Sequence, residues 1–213
     1  MIFVNRGPEP KILLNKKSLW LDALRDARSK KDQDGFKKIQ SKYGAISVKN
    51  ALDKSFHGKC AYCESVIGTV ATGHIEHYRP KSRYISLTFE WNNLLLSCPK
   101  CNSKTHKGSK FPKISDGGPI LNPCSDNPND HIEFIYDTKL GLALAKGKTK
   151  RGETTINLFG LNNRPDLIRA RSQLIKNLLF LKVHEAQDPK AAELITEASK
   201  NFQPYLAWLN LVK

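Results

Sequence analysis

Apolar positions fall at helical spacing towards both ends of this chain and in short β-like runs between them. Pro8 and Pro10 keep the first ten residues extended. Leu19, Trp20, Ala23, Leu24 and Ala27 then share one helical face, with Ser18 placed to cap the helix. Asp32-Gln-Asp-Gly is a break. A second helix is predicted over about Phe36 to Tyr43, ended by Gly44. A third opens at Ser47, runs through Val48, Ala51, Leu52 and Phe56, and stops at Gly58. His74 to Tyr78 has strand character closed by Pro80, and Leu94-Leu95-Leu96 reads as its partner. Pro99 suits a first helical turn, which predicts a helix from Cys98 or Pro99 to about Lys107, with Gly108 at its end.

Asp116 to Asp130 is rich in Pro, Asn, Asp and Gly and reads as loop. Ile132–Ile135 and Leu140–Ala145 predict a hairpin, and Lys146 to Gly152 a basic turn. Residues 165–184 place Leu167, Ile168, Arg171, Leu174, Ile175, Leu178 and Leu181 at helical spacing. Beyond Pro189 a last helix is predicted through Leu194, Ala198, Phe202, Tyr205, Leu206 and Leu209, with Pro204 placed to kink it. The run Leu178–Leu181 holds more apolar residues than one buried stripe needs, which suggests a surface for a partner.

Composition narrows the class. Hydrophobic residues make up 39 % of 213, too many for a disordered chain, and no apolar run approaches the ~20 residues of a membrane span. The start, Met-Ile-Phe-Val-Asn-Arg-Gly-Pro, lacks the features of a signal peptide, so a cytoplasmic location is expected. Five cysteines, four of them in the pairs Cys60/Cys63 and Cys98/Cys101, make a poor disulfide framework and a good structural zinc site. The alternative is four buried thiols. Cys124 has no sequence partner and reads as an ordinary thiol.

The net charge of +15 is uneven. Residues 59–114 carry +6, residues 1–58 carry +7, and residues 115–163 carry −1. A polyanion suits such a distribution, because phosphate contacts release counterions. A solvated lysine-rich surface would look the same. Arg79, Lys81, Arg83, Lys100, Lys104 and Lys107 are the candidate nucleic-acid contacts.

Between the cysteine pairs lies Glu76-His77. Hydrolysis of a phosphodiester needs a base to take a proton from water, and a cation to stabilise the charged phosphorus centre. An imidazole titrates near working pH, so His77 is the base candidate. Its alternatives are a further zinc ligand or a core histidine. Glu76 is a hard oxygen donor suited to Mg²⁺ or Mn²⁺. Adjacent strand residues point to opposite sides, so the two can cooperate only if the strand ends or bends here. Asn102 and His106 are four apart and would share one helical face, where His106 is a tentative further ligand. His74 shares the Glu76 side of the strand, as support for the site or simply as an exposed residue.

Glu76-His77, Asn93 and Asn102, in this order within a four-cysteine frame, resemble the HNH endonuclease family. That resemblance implies an α+β fold: a ββα-metal core on a zinc knuckle, here flanked by N- and C-terminal helices. It implies His77 as general base, Glu76 and Asn102 as holders of the catalytic metal, and Asn93 as a brace for the loop beside His77. Glu stands where Asp is more frequent. Lys59-Cys-Ala-Tyr-Cys-Glu64, Ile75-Glu-His-Tyr-Arg-Pro-Lys-Ser82, Trp91-Asn-Asn-Leu, Ile120-Leu-Asn-Pro123 and Thr154-Thr-Ile-Asn-Leu-Phe-Gly-Leu-Asn162 further resemble the PtuB-like HNH subunit of Septu-type and retron-associated anti-phage systems.

The expectation is therefore a cytoplasmic, metal-dependent HNH endonuclease, with structural Zn²⁺ and catalytic Mg²⁺ or Mn²⁺. Nucleic acid, phage DNA foremost, is its substrate, and no membrane or small-molecule cofactor is expected. The resemblance, not any residue, implies an ABC/SMC-like ATPase partner. A non-catalytic zinc-ribbon nucleic-acid-binding subunit and an RNA-cleaving HNH nuclease are the rival readings. The expected organisation is a basic helical extension (1–56), the zinc-knuckle core (57–114), a loop and hairpin (115–163) and a C-terminal helical segment (164–213).

Overall fold

The computed structural model describes residues 1–68, 71–201 and 203–211. The order is α1 (Lys11–Ser29), α2 (Gln33–Gln40), a 3-10 turn (Ser41–Gly44), α3 (Ile46–Phe56), β1 (His74–His77), β2 (Leu94–Ser97), α4 (Pro99–Asn102), β3 (Ile132–Asp137), β4 (Leu142–Gly147), α5 (Lys150–Phe159), α6 (Pro165–His184), α7 (Pro189–Ala198) and a 3-10 turn (Leu206–Leu211). The fold class is α+β, with two separate antiparallel hairpins and flanking helices.

Helix α1 begins at Pro10, not at Ser18. Pro10 needs no amide donor there, and its carbonyl accepts from the Leu13 and Leu14 amides at 2.9 and 3.1 Å. The earlier start adds Leu13 to a buried stripe with Trp20, Leu24 and Ala27, while Leu19 faces solvent. Asp32 caps α2 by accepting from the Gly35 amide at 2.9 Å. Helix α3 buries Val48, Leu52 and Phe56, and ends where His57 and Gly58 turn left-handed at φ 53° and 67°.

The first hairpin pairs His74 with Ser97, Ile75 with Leu96, Glu76 with Leu95 and His77 with Leu94. All four β2 residues are buried, because α3 packs on this short strand pair. Helix α4 is a single turn: Ser103 is extended (φ −67°, ψ 161°), and the chain folds back so that the Lys107 amide reaches the Cys101 carbonyl at 3.1 Å. The helix expected as far as Lys107 therefore stops at Asn102.

The second hairpin runs from Ile132↔Gly147 to Asp137↔Leu142. Asp137 Oδ1 accepts from the amides of Lys139 and Leu140, both at 2.9 Å, and Gly141 takes φ 67° to close the turn. The basic turn ends at Thr149, which caps α5. That helix is hidden in the hydrophobic pattern by Gly152, Thr154, Thr155 and Asn157, poor helix formers. Gly152 is required, since a Cβ would stand 2.0 Å from the His131 carbonyl oxygen. Helix α6 spans the predicted residues. The last helix ends at Ala198 and does not continue through Pro204; Tyr205 turns left-handed, and the final 3-10 turn inserts Trp208 into the core. Phe202, expected on that helix, lies outside the described residues. In the Leu178–Leu181 run Leu178 is buried, Leu179 and Leu181 are half-buried, and Phe180 is exposed.

One contiguous apolar core runs from Met1 through the helices and both hairpins to Leu209. The extended start is part of it: Met1 is buried with its ammonium against Glu64, and Arg6 donates to the carbonyls of Trp91 and Leu94 at 2.7 and 2.6 Å. Among the described residues no helix is long and apolar enough to cross a membrane.

Candidate active site and metal centre

Cys60 and Cys63 lie on the turn after α3; Cys98 caps α4 and Cys101 lies within it. Their four sulfurs lie within 4.8 Å of one another. Cys63 and Cys98 are 3.8 Å apart, the edge of a tetrahedron whose centre is ~2.3 Å from each sulfur. The donor set and spacing fit zinc. Burial pushes the Cys60 thiol well up, while hydrogen bonds from Cys101 and Cys60 hold Cys63 well down. From the far side, buried Arg164 donates through Nη1 to Cys101 Sγ at 3.3 Å. Burial alone would lower that guanidinium, but the charges of Cys101 and Cys63 outweigh it and raise its pKa.

Strand β1 leaves this cluster and ends at His77. There Glu76 and His77 both line one cavity of about 210 Å³, together with Tyr43, Lys81 and Asn102. The early strand end thus brings the acid–histidine step to one side, as the spacing required. A larger cavity, about 730 Å³, lies between the β3–β4 turn and α6. Among the described residues its lining holds no acid, histidine or cysteine, whereas the smaller cavity holds both Glu76 and His77.

His77 is 6 % exposed, and its Nε2 sits 2.9 Å from the Thr88 carbonyl oxygen. A carbonyl only accepts, so Nε2 carries the proton and Nδ1 keeps a lone pair. Burial lowers the imidazole to about 4, with help from the charges of Lys81 and Lys107 against the Thr88 carbonyl. The ring is therefore neutral across the physiological range. Tyr43 packs against it, centroids 4.5 Å apart at 85°.

Glu76 is 3 % exposed, and its Oε1 accepts from Lys107 Nζ at 2.8 Å. Lys107 is fully buried and also donates to the His77 carbonyl at 3.0 Å. Burial raises the Glu76 pKa and the Lys107 ammonium draws it back. Burial likewise lowers Lys107, against the pull of Glu76. Among the described residues Glu76 Oε2 has no hydrogen-bond partner, and Asn102 donates through Nδ2 to His74 Nδ1 at 3.2 Å, leaving its Oδ1 free. Glu76 and Asn102, two hard oxygen donors that line one cavity, fit a divalent cation that keeps much of its water.

Asn93 joins the two ends of the β1–β2 loop. Its Oδ1 accepts from the Arg79 amide at 2.8 Å, and its Nδ2 donates to the carbonyls of Arg79 and Leu87 at 3.0 and 3.1 Å. Thr88, the partner of His77, follows Leu87 directly.

Two expectations need correction. His106 is not on the Asn102 face, because α4 ends at Asn102. Its ring turns towards Gly160 and the hydroxyls of Ser103 and Thr105, away from Glu76. Lys107 does not face solvent to meet phosphate; its ammonium is consumed by Glu76 and the His77 carbonyl. Of the other cations, Lys81 lines the cavity, Arg83 donates to the Ser109 carbonyl at 2.9 Å beside it, and Lys104 is exposed. Arg79 lies over the rings of Tyr84 and Phe111, and Lys100 is held on Asp166 at 3.2 Å. Tyr43, Thr88, Lys107 as the partner of Glu76, and Arg164 escape sequence reasoning. All four act across long sequence separations and belong to no spacing motif.

The family model for HNH endonuclease matches residues 60–108, the stretch from Cys60 to the end of the loop carrying Lys107. A Septu protein PtuB of Bacillus mycoides (strain KBAB4) is 34 % identical over 211 residues, covering 86 % of this chain and 70 % of that protein. A second, from Bacillus thuringiensis, is 32 % identical over 175 residues, covering 80 % of this chain and 58 % of that protein. No solved structure matches the chain.

Proposed function

This chain belongs to the Septu PtuB family and carries an HNH nuclease domain; from that premise we propose that it is the metal-dependent endonuclease of an anti-phage complex, cutting phage DNA in the cytoplasm. The observation that carries the reading is His77: a buried neutral imidazole, held by the Thr88 carbonyl, on the same cavity as Glu76 and Asn102.

His77 acts as the general base, taking a proton from water on Nδ1 while Nε2–H stays on Thr88. Glu76 and Asn102 would hold a catalytic Mg²⁺ or Mn²⁺, which would supply Lewis-acid stabilisation of the negative charge that develops on the reacting phosphate. Lys107 offsets part of the desolvation of the Glu76 carboxylate and aims it by fixing one of its oxygens. Asn93 holds the loop that presents Thr88. Arg79, Lys81, Arg83 and Lys104 meet the nucleic-acid backbone around the cavity. Cys60, Cys63, Cys98 and Cys101 would hold a structural zinc, which would tie the turn after α3 to α4.

The extension (1–56), core (57–114), loop and hairpin (115–163) and helical segment (164–213) work as parts of one folded unit. An ABC/SMC-like ATPase is the proposed partner; family membership supports it, as do the exposed Phe180, Val183 and Leu194 on α6 and α7. The test is to incubate the purified chain, with and without the product of its neighbouring gene, on plasmid, single-stranded DNA and RNA with Mg²⁺, Mn²⁺ or chelator. Metal-dependent cleavage of DNA supports the reading. Binding without cleavage in every combination would instead make the protein a zinc-ribbon binding subunit, and cleavage of RNA alone would replace the substrate.

A further inference from the structure

Among the described residues, Tyr43 is the one cavity residue that comes from outside the zinc-knuckle core. It stands on the 3-10 turn Ser41–Gly44 after α2, yet it lines the same cavity as Glu76, His77 and Asn102. The N-terminal extension thus supplies a wall of the site.

Two contacts define what Tyr43 does there. The first is with His77. The single hydrogen bond to Thr88 fixes the direction of Nε2–H but leaves the imidazole free to rock about the N–H···O axis. The Tyr43 ring, 4.5 Å away and nearly perpendicular, blocks that motion. The second contact is with Lys81. Lys81 Nζ donates to the Tyr43 hydroxyl at 2.8 Å and lies 4.4 Å from the ring centroid. Lys81 follows Pro80 on the loop beyond β1, so a long flexible side chain is drawn to the cavity it lines. Its ammonium keeps two donors free, and the hydroxyl, which accepts from Lys81, keeps its own proton to donate. These are the groups that a non-bridging phosphodiester oxygen would accept from.

Resting on the reading of His77 as the base, we infer that Tyr43 is a positioning residue of the cleavage reaction. Its ring locks the imidazole at the angle that aims Nδ1 into the cavity, and its hydroxyl hooks Lys81 into a two-donor clamp for the substrate phosphate. The ring acts on turnover and the hydroxyl on substrate binding, so the two parts separate by substitution.

The experiment uses the full zinc-loaded chain, together with its neighbouring gene product, nicking supercoiled plasmid with Mn²⁺. Tyr43→Leu, Tyr43→Phe, Lys81→Met and the Tyr43→Phe/Lys81→Met double variant are compared, with His77→Ala in parallel. Solvent exchange of the His77 Nε2–H, followed by NMR, reports ring fixation without turnover. Tyr43→Leu is expected to lower kcat on the order of 10²-fold, as misplacement of a reacting group does, and to speed that exchange, while zinc content is retained. Tyr43→Phe keeps the exchange and kcat of the wild type and raises KM several-fold, about as much as Lys81→Met; the double variant raises it no further. The inference is overturned if Tyr43→Leu leaves kcat and exchange unchanged. It is also overturned if Tyr43→Phe loses as much kcat as Tyr43→Leu, if the KM effects simply multiply, or if Tyr43→Leu unfolds and loses zinc, which would make Tyr43 a core residue only. A His77→Ala variant that cleaves like the wild type would overturn the assignment of the base instead, a different outcome from any of these.

Discussion

The cysteine cluster and the cavity share α4 but are built on opposite principles. The cluster is local: two pairs, each separated by two residues, are joined by one hairpin, and their sulfurs converge within 4.8 Å. The cavity is assembled from afar. Glu76 and His77 come from the end of β1, Thr88 from the β1–β2 loop, Lys107 from the fold-back after α4, and Tyr43 from the N-terminal extension. A metal cluster of this kind can organise its own surroundings, because metal binding contributes directly to folding. The cavity can only be as well ordered as the packing that surrounds it.

The contrast can be broken most severely at the cluster. Cys98→Ser removes one sulfur and should unfold the module, because the binding free energy of a structural zinc is on the order of 10 kcal/mol. The wild type should contain about one zinc per chain by metal analysis. A folded, zinc-free wild type would show that the four thiols pack without a metal.

A smaller break is available behind the cavity, at the buried partner of Glu76. Lys107→Met removes a fully buried cation and leaves Glu76 uncompensated. Losing one partner of a buried pair costs about 3–5 kcal/mol. Denaturant unfolding should show a loss of that order with zinc still bound. A loss below about 1 kcal/mol, the range of exposed ion pairs, would mean that Lys107 samples the surface and does not hold the carboxylate.

The smallest effect belongs to the rim. Neutralising Arg79, Lys81 and Lys104 together should leave folding and zinc untouched. It should reduce the slope of log affinity against log salt by up to ~3 on duplex DNA, at about 0.9 per phosphate contact. An unchanged slope places the binding groove on another face.

The same contrast governs how much could be read beforehand. Cys60, Cys63, Cys98 and Cys101 declare themselves by spacing, as does α6 by a stripe beginning at Pro165. Glu76, His77, Asn93 and Asn102 stand out through a motif that lies within the matched HNH stretch, and their roles are those proposed above. The partners that tune them do not stand out, since Thr88 acts through a backbone carbonyl and Tyr43 and Lys107 carry no signature. His106 and Lys107 were misplaced for one reason. Helix periodicity was extended past Asn102, while the buried pairing of Lys107 with Glu76 turns the chain inward and ends the helix there. Helix α5 was invisible because Gly152 answers to the nearby His131 carbonyl rather than to helix propensity.

If the cavity performs the proposed chemistry and the cysteine cluster supports it, His77→Ala separates the two when plasmid cleavage, zinc content and thermal unfolding are followed in the same preparation. The expected result is a full complement of zinc, a cooperative unfolding transition like that of the wild type, and a cleavage rate lower by ~10²–10⁴, the usual cost of losing a general base. Wild-type cleavage by the variant, or loss of zinc and fold with the imidazole, would contradict it.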